Sequence, residues 1–181
     1  GVKIVAGPLE LCAIDAGQTD IRFVVCSGDR ELLSGRTGKG ITNILLEGAA
    51  ASLEGNLREV RRQVRSALGT GRFRVVAAGA TGVSRERREY PVMREVFAAA
   101  FPGARLVLES DVITSHAANF KGRPGIILHA GTGDFAYGVD RDGRALRVGG
   151  WGYLLGDEGS GFGLGLSGIR AALRALGVPD G

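Results

Sequence analysis

The sequence contains few of the residues that bind metals or form covalent crosslinks. Its 181 residues include two cysteines and two histidines. Cys12 and Cys26 lie in apolar, strand-like runs and no Cys-x-x-Cys is present, which favours two buried thiols in a reducing compartment over a disulfide framework. His116 and His129 have no partner at metal-ligand spacing, and we interpret both as structural residues.

Long apolar runs and an excess of charge of one sign are also missing. No run approaches the roughly 20 apolar residues that span a bilayer, and the sequence does not open with the pattern of a signal peptide. The net charge is +4. The arginines concentrate in predicted helices without exposed aromatic residues between them, so solvated helix faces explain them better than a nucleic-acid site. We therefore expect a cytoplasmic protein that binds neither membrane nor nucleic acid.

Glycine, by contrast, is abundant. The chain has 31 glycines, more than twice the usual share of about 7%. They are densest in GGWGYLLGDEGSGFGLG, at positions 149–165. Glycine is costly inside helices and strands, so such clusters indicate tight turns or close approach of the backbone to a ligand. The carboxylates in this segment either bind a polyhydroxy ligand or a cation, or cap the helix that follows.

The spacing of apolar residues predicts an α/β chain in which one pattern of elements begins twice. The first part is predicted to contain strands at 9–16, 20–27 and 31–37, a helix at 52–68 that stops at Gly69, a strand at 72–80, a helix within 84–101, a strand at 104–110 and a helix at 112–120. After a break at KGRPG, the second part is predicted to contain strands at 125–130, 134–140 and 144–150 and a helix at 160–176.

The two sets of three strands are similar in sequence as well as in pattern. Positions 16–38 and 130–152, compared without a gap, share eight identities in 23 positions, where chance gives about two. We interpret them as two copies of one β-meander, each of which opens one lobe of a duplicated protein.

The first turn of each copy, in DAGQTD and AGTGD, is a hairpin loop that contains glycine. Backbone N–H groups in such loops can point at a phosphate, although many hairpins contain glycine for their turn alone. Two loops at matching positions of a repeat are stronger evidence for a polyphosphate held from both sides. Asp15, at the end of the first strand, is suited to hold Mg²⁺ through water.

Five motifs in order, IDAGQTD, GITN, ESDVITSHAANF, LHAGTGDFAYGVDRDGR and GGWGYLLGDEGSG, resemble those of the N-acetylglucosamine kinase group and of the broader BadF/BadG/BcrA/BcrD ATPase family. Both groups belong to the sugar kinase, Hsp70 and actin superfamily. The resemblance implies two ribonuclease-H-like lobes of the actin-like ATPase fold around a cleft that holds ATP, Mg²⁺ and the acceptor. Residues 1–120 would form the first lobe with a linking helix, and residues 121–181 the start of the second.

The resemblance also implies roles for individual residues. The first phosphate loop would consist of Asp15, Gly17, Gln18 and Thr19, with Asp15 as the magnesium ligand. The second phosphate loop would consist of Gly131, Thr132 and Gly133. The acceptor site would be formed by Asn43, Asp111, Gly150, Trp151, Asp157 and Glu158.

Asp111 would be the general base, which accepts the proton of the acceptor hydroxyl as that oxygen attacks the γ-phosphate. Each of these roles has a simpler alternative. Asp111 is also placed to be the N-cap of the helix that follows it, and Asp157 and Ser160 to be caps of the last helix. Trp151 is either a wall of the acceptor pocket or a packing residue of the core.

The sequence departs from the usual family loops at several positions. Ala16 and Gln18 replace glycines, Asp20 replaces a lysine and Asp134 replaces a serine. The two added carboxylates would repel a polyphosphate unless Mg²⁺ or arginines compensate. The family pattern continues for roughly another hundred residues, so we expect an incomplete second lobe without an adenosine pocket, and weak ATP binding with very slow turnover by residues 1–181 alone.

The function predicted from the sequence is that of an ATP-dependent sugar kinase, acting on N-acetylglucosamine or a related amino sugar, with a homodimer as a further expectation. One alternative is an ATPase that activates a 2-hydroxyacyl-CoA dehydratase. Such relatives hold an Fe–S cluster between subunits by cysteines, and Cys12 and Cys26 are in the wrong place for this. Another alternative is a non-catalytic sensor of a sugar or nucleotide.

Overall fold

The computed structural model describes residues 7–17, 19–38, 40, 43–131 and 133–177. The chain divides into two compact units between Thr114 and Ser115. The helices and strands, in chain order, are β1 Leu9–Ala16, β2 Ile21–Ser27, β3 Arg30–Thr37, α1 Ala49–Leu68, β4 Phe73–Ala80, α2 Glu89–Ala100, β5 Arg105–Ser110, α3 Asp111–Phe120, β6 Gly125–Ala130, β7 Asp134–Val139, β8 Ala145–Gly149 and α4 Gly161–Ala175. The predicted α/β class and the predicted order of elements are therefore confirmed.

The first unit contains a mixed five-stranded sheet with the order β3-β2-β1-β4-β5. Strands β1, β2 and β3 form the predicted antiparallel meander, whereas β4 and β5 run parallel to β1. The carboxyl ends of β1, β4 and β5 consequently lie at the same edge of the sheet. The residues that follow these three strands meet at that edge, which is where parallel sheets commonly bind ligands.

Helix α1 covers the sheet of the first unit with the predicted apolar stripe. Leu53, Leu57, Val60 and Val64 are its buried residues, and they join the sheet residues in one hydrophobic core. The helix begins at Ala49, three residues before the predicted start, because the alanines that precede Ser52 are strong helix formers. It ends as predicted at Gly69, whose φ of 80° is left-handed and whose N–H donates to the carbonyl of Arg65.

The second unit contains a three-stranded antiparallel sheet with the order β6-β7-β8. Both copies of the repeat are thus meanders of the same strand order, as the repeat predicted. Their first hairpins differ in length, however, because Ala16 pairs with Ile21 whereas Ala130 pairs with Asp134. Strand pairing therefore places Asp134 at the position that Ile21 has in the first copy. The sequence alignment without a gap matched Asp134 with Asp20 instead, and this match is wrong for the structure.

One face of this second sheet is apolar and exposed. Cross-strand pairing puts Ile126 and Leu146 in one row and Leu128 and Val148 in the next, with the small residues of β7 between them. These four side chains are 61% to 80% exposed. The sheet therefore presents a continuous apolar surface, whose residues Ile126, Leu128, Leu146 and Val148 we call the open face.

Both histidines make contacts typical of structural residues. His116 is buried, and its Nε2 lies 3.2 Å from the carbonyl oxygen of Gly125. The ring of His129 stacks on Phe135, with the ring centroids 5.0 Å apart. Within the described ranges, no group of three or more His, Cys, Asp or Glu side chains is placed to hold a metal ion. None of the described helices has the combination of length and apolar composition that a membrane span requires.

Candidate functional site

The carboxyl edge of the first sheet brings predicted site residues together. Asp15 lies beside Gly79 across the β1–β4 ladder. Thr81 directly follows β4, and Asp111 directly follows β5. Because these strands are parallel, their ends carry polar side chains from three distant parts of the chain to one place.

Asp111 is held by two hydrogen bonds at the start of α3. The hydroxyl of Thr81 donates to its Oδ2 at 3.0 Å, and the N–H of Val112 donates to its Oδ1 at 2.9 Å. The side chain is half-buried. Both oxygens are thus fixed in direction, which is the property that a general base needs in order to meet its proton at the correct geometry.

The N-cap of α3 is a different residue from the one that the sequence suggested. The hydroxyl oxygen of Ser110 accepts the N–H of Ile113 at 3.2 Å, the bond that a cap makes to the third helical residue. Asp111 is the first residue of the helix proper. The alternative interpretation of Asp111 as the N-cap is therefore wrong, and its carboxylate is not required for that task.

Close packing fixes the first turn of α3 against β4. A Cβ added at Gly79 would lie 2.2 Å from Thr114 Oγ1 and 3.0 Å from Thr114 Cβ. The Thr114 hydroxyl is itself shared between the carbonyls of Ser110 and Asp111, at 3.2 and 3.0 Å. Gly79 is therefore required for the approach of the helix, and this approach sets the position of Asp111.

Burial and three neighbouring charged side chains affect the pKa of Asp15. Partial burial is the largest effect and raises its pKa, and the carboxylates of Asp111 and Asp20 raise it further, whereas Arg22 lowers it. Asp20 itself is paired with Arg22, whose Nε lies 3.2 Å from its Oδ2. The arginine next to the first turn thus offsets the carboxylate that replaces the family lysine.

The first glycine turn is closed by its backbone. The N–H of Gly17 donates to the carbonyl of Asp20 at 3.1 Å, and Thr19 is exposed. Gln18 lies outside the described residues. Asn43, from GITN, is exposed, and its side-chain oxygen accepts the N–H of Leu45 at 3.0 Å, which fixes the orientation of its amide.

In the second unit, the second glycine turn is attached to the loop before α4. The N–H of Gly131 donates to Gly133 O, and the N–H of Gly161 donates to Gly131 O, both at 2.9 Å. Thr132 lies outside the described residues. The N-terminus of α4 is capped by Ser160, whose Oγ accepts the N–H of Gly163 at 3.0 Å, as the sequence suggested.

Asp157 is buried and faces the backbone of the second turn. It is 6% exposed, and its φ of 62° is in the left-handed region. Its Oδ1 accepts the N–H of Asp134 at 3.3 Å, and its carbonyl, not its side chain, accepts the N–H of Ser160. The suggestion that the Asp157 side chain caps α4 is therefore wrong.

The remaining acceptor residues of the second unit lie in its glycine-rich loop. Trp151 is 73% exposed, so the alternative of a core tryptophan is wrong for this structure. Gly150 has a left-handed φ of 71°, and a Cβ there would meet the guanidinium of Arg147 at 2.4 Å. Glu158 is exposed, and its carboxylate is accessible to a polar ligand.

Sequence reasoning missed two residues that shape the site, Thr81 and Thr114. As a possible cap of α3 it offered Asp111, whereas the cap is Ser110. A signal for Thr81 was present, since a polar residue directly after a parallel strand lies at the ligand-binding edge of the sheet. No local signal marks Thr114, because its contact with Gly79 joins residues that are distant in sequence.

Comparison with known proteins places the chain in a family. The sequence model of the BadF/BadG/BcrA/BcrD ATPase family matches residues 13–178. The chain is 40% identical over 72 residues to an N-acetylmuramic acid/N-acetylglucosamine kinase of Clostridium acetobutylicum, an alignment that covers 40% of this chain and 24% of that protein. It is 27% identical over 170 residues to an N-acetyl-D-glucosamine kinase of Dictyostelium discoideum, covering 90% of this chain and 53% of that protein.

A solved structure with the same fold is that of a Porphyromonas gingivalis protein provisionally assigned as an N-acetylglucosamine kinase. It superposes with a TM-score of 0.72 at 22% identity and covers 92% of this chain and 57% of that one. The chain thus spans about half the length of such relatives, and its fold is that of the duplicated ribonuclease-H-like, actin-like ATPases. The match over residues 13–178 shows that this chain belongs to the BadF/BadG/BcrA/BcrD ATPase family.

Proposed function

We propose that the protein that contains residues 1–181 is an ATP-dependent sugar kinase with Asp111 as its general base. The observation that carries the proposal is the fixed carboxylate of Asp111, held by Thr81 and by the N–H of Val112 while Ser110 caps the helix. The names of the two curated relatives support N-acetylglucosamine or a related amino sugar as the acceptor. Residues 1–120 would be the first lobe with its linking helix, and residues 121–181 the start of the second.

In the proposed reaction, Asp111 accepts the proton of a sugar hydroxyl as the oxygen of that hydroxyl attacks the γ-phosphorus of ATP. A new P–O bond to the sugar forms, and the bond between the γ-phosphorus and the bridging oxygen of ADP breaks. The turn at Gly17 and Thr19, with Gln18, and the turn at Gly131 and Gly133, with Thr132, would hold the phosphates. Because the N–H groups of Gly17 and Gly131 close the turns themselves, the contacts to phosphate would come from the other backbone N–H groups of each turn.

Asp15 fits the requirement for a magnesium ligand. It is a carboxylate at the edge of the sheet. Partial burial is the main cause of its raised pKa, and Asp111 and Asp20 raise the pKa further against the opposite effect of Arg22. The negative charge of these two neighbours would favour a cation there. A bound Mg²⁺ would neutralise charge on the β- and γ-phosphates. ATP as the phosphoryl donor also supports a cytoplasmic location.

We propose acceptor-binding roles for Asn43, Asp111, Gly150, Trp151, Asp157 and Glu158. The exposed indole of Trp151 offers an apolar face of the kind that packs on a sugar ring. The carboxylate of Glu158 and the amide of Asn43 are suited to accept and donate hydrogen bonds with hydroxyl groups.

The direct test is phosphotransfer by the full-length protein with ATP over a panel of sugars and N-acetylated amino sugars. Asp111→Asn keeps an oxygen for the N–H of Val112, and its NH₂ can donate to the Thr81 hydroxyl, but the amide cannot accept a proton as a base. We therefore expect a loss of about 10²- to 10⁴-fold in kcat with an unchanged melting temperature. The matched control is Asp142→Asn, which makes the same chemical change in a surface turn, where Asp142 is 72% exposed.

Near-normal turnover of Asp111→Asn would remove Asp111 from the chemistry. Sugar binding without any turnover of ATP by the unmodified protein would instead favour the non-catalytic sensor. The dehydratase-activating ATPase has no support from the cysteines. Cys12 is completely buried in β1, so it cannot reach a cluster between subunits without opening the sheet.

We also propose that residues 1–181, as a separate chain, form a homodimer through the open face of the second sheet. Four large apolar side chains side by side on one exposed surface favour association. Sedimentation of residues 1–181 should show a dimer that Leu128→Lys converts to a monomer, because a charge would then be buried in the contact. A monomer at all accessible concentrations would contradict this arrangement.

A further inference from the structure

Asp134 makes contacts that explain why a carboxylate stands directly after the second glycine turn. Its Oδ2 accepts the N–H of Gly159 at 2.5 Å. Its own N–H donates to Asp157 Oδ1 at 3.3 Å. With the bond from Gly161 to Gly131, three hydrogen bonds join the turn at 131–134 to the loop at 157–161, and we call these contacts the turn–loop clamp.

The glycines around the clamp fit the two carboxylates closely. A Cβ at Gly159 would lie 2.6 Å from Asp134 Oδ2, and a Cβ at Gly133 would lie 3.0 Å from Asp157 Oδ2. At these two positions the space that a side chain would need is thus taken by a carboxylate of this chain. Gly133 and Gly159 therefore serve the internal clamp, and not only the approach of a ligand.

The left-handed backbone of Asp157 is a second sign that the clamp is a specific arrangement. Residues other than glycine adopt a φ near +60° rarely, and they persist there where surrounding contacts fix them. Asp157 is held in this conformation by the bond from Asp134 and by the bond from the N–H of Ser160 to its carbonyl.

We propose that Asp134 is a positioning residue that fixes the second phosphate turn relative to the acceptor loop. This inference rests on the proposed kinase function, because it takes the turn as the phosphate site and the loop as the acceptor site. A carboxylate next to a polyphosphate would by itself repel it. Here its Oδ2 is satisfied by a backbone N–H and the carboxylate acts on ATP and sugar through the geometry of the loop.

If Asp134 positions the loop, its replacement should raise the KM for ATP in the full-length protein, whereas if Asp134 repels phosphate, its replacement should lower that KM. If Asp134 positions the loop, Asp134→Ala raises KM for both ATP and sugar about tenfold, whereas Asp134→Asn, which keeps an acceptor oxygen, stays close to the unmodified protein. If Asp134 mainly repels phosphate, both variants lower the KM for ATP. The second result would overturn the proposal.

The clamp can also be tested from its other side by a double-mutant cycle. Gly159→Ala places a methyl group against Asp134 Oδ2, so it should raise both KM values in the same way. In the Asp134→Ala background that contact is gone, and Gly159→Ala should then have little further effect. Gly165→Ala is the matched control, because nothing lies within 4 Å of a Cβ at Gly165. Additive effects of the two substitutions would overturn the clamp.

A readout without activity separates failure of the clamp from failure of the proposed function. Hydrogen exchange of the Gly159 amide should be slow in the unmodified protein and in Asp134→Asn, and fast in Asp134→Ala. Equal exchange in all three would overturn the clamp, whatever the protein catalyses. Protection that follows this order in a protein without phosphotransfer would leave the clamp established and contradict only the kinase function on which its role depends.

Discussion

Replacing Gly79 with alanine tests whether the packing of α3 on β4 sets the position of Asp111. Gly79 is not among the glycines with a left-handed φ, so its backbone accepts alanine and any effect is steric. The new Cβ would lie 2.2 Å from Thr114 Oγ1, whereas ordinary contact begins at 3.4 Å. The Thr114 hydroxyl is tied to the carbonyls of Ser110 and Asp111, so the first turn of α3 has to move by about 1 Å.

Two magnitudes follow from this displacement. Overpacking of a buried contact of this kind typically costs about 1–3 kcal/mol of the free energy of unfolding. A shift of about 1 Å in a catalytic group lowers the rate by about 100-fold. We therefore expect Gly79→Ala to lower the denaturant midpoint and, in the full-length protein, to lower kcat by about two powers of ten.

Two further variants make the test specific. Gly55→Ala is the control, because nothing lies within 4 Å of a Cβ there and alanine in a helix raises stability by about 0.5–1 kcal/mol. Thr114→Ala, combined with Gly79→Ala, removes the 2.2 Å contact and should restore much of the stability and turnover. Unchanged stability and turnover in Gly79→Ala, or a double variant that recovers neither, would show that this packing does not set the position of Asp111.

Three other predictions concern the same unit. Ser110→Ala removes the cap of α3 and should lower the free energy of unfolding by about 1 kcal/mol in a urea titration; an unchanged midpoint would show that the cap contributes nothing. Thr81→Val removes the donor to Asp111 with little change of shape and should lower kcat about tenfold with a small change in KM; a change in KM alone would assign Thr81 to substrate binding. Burial raises the pKa of Cys12 to about 12, whereas Cys26 is partly exposed. A thiol reagent at mildly alkaline pH should therefore modify only Cys26 in the native protein and both thiols after denaturation. Rapid reaction of both thiols in the native state would contradict the burial of Cys12 in β1.

The local elements of this protein were largely predictable from its sequence. The apolar stripe of α1 at Leu53, Leu57, Val60 and Val64 is buried as its spacing predicts. Helix α1 ends at Gly69 as predicted, because glycine adopts the left-handed backbone at little cost. These features depend on residues that are close in sequence, within one or two helical turns. A local sequence pattern is therefore enough to predict them.

The repeat was predictable in its topology but not in its register. Similar sequence at two places indicated two meanders, and both are present. The offset in residue number between matching positions of the two copies changes at the first hairpin. The second copy has one residue fewer between the paired residues Ala130 and Asp134 than the first copy has between Ala16 and Ile21. Strand pairing determines that register through cross-strand hydrogen bonds, which no local pattern specifies.

The class of fold, the positions of nearly all strands and helices, and the place of Asp111 directly after a strand were predictable from the order of residues. Only the tertiary contacts show which residue caps α3, how Asp111 is held, and which backbone groups Asp134 contacts. Thr81 and Asp111 are 30 positions apart, and Asp134 and Gly159 are 25 apart. Parallel pairing of β4 and β5 brings the first pair together, and in the second pair the folded loop turns its backbone toward the carboxylate. The sequence specifies which chemical groups each side chain has. The partner of each group depends on packing between segments that are distant in the chain.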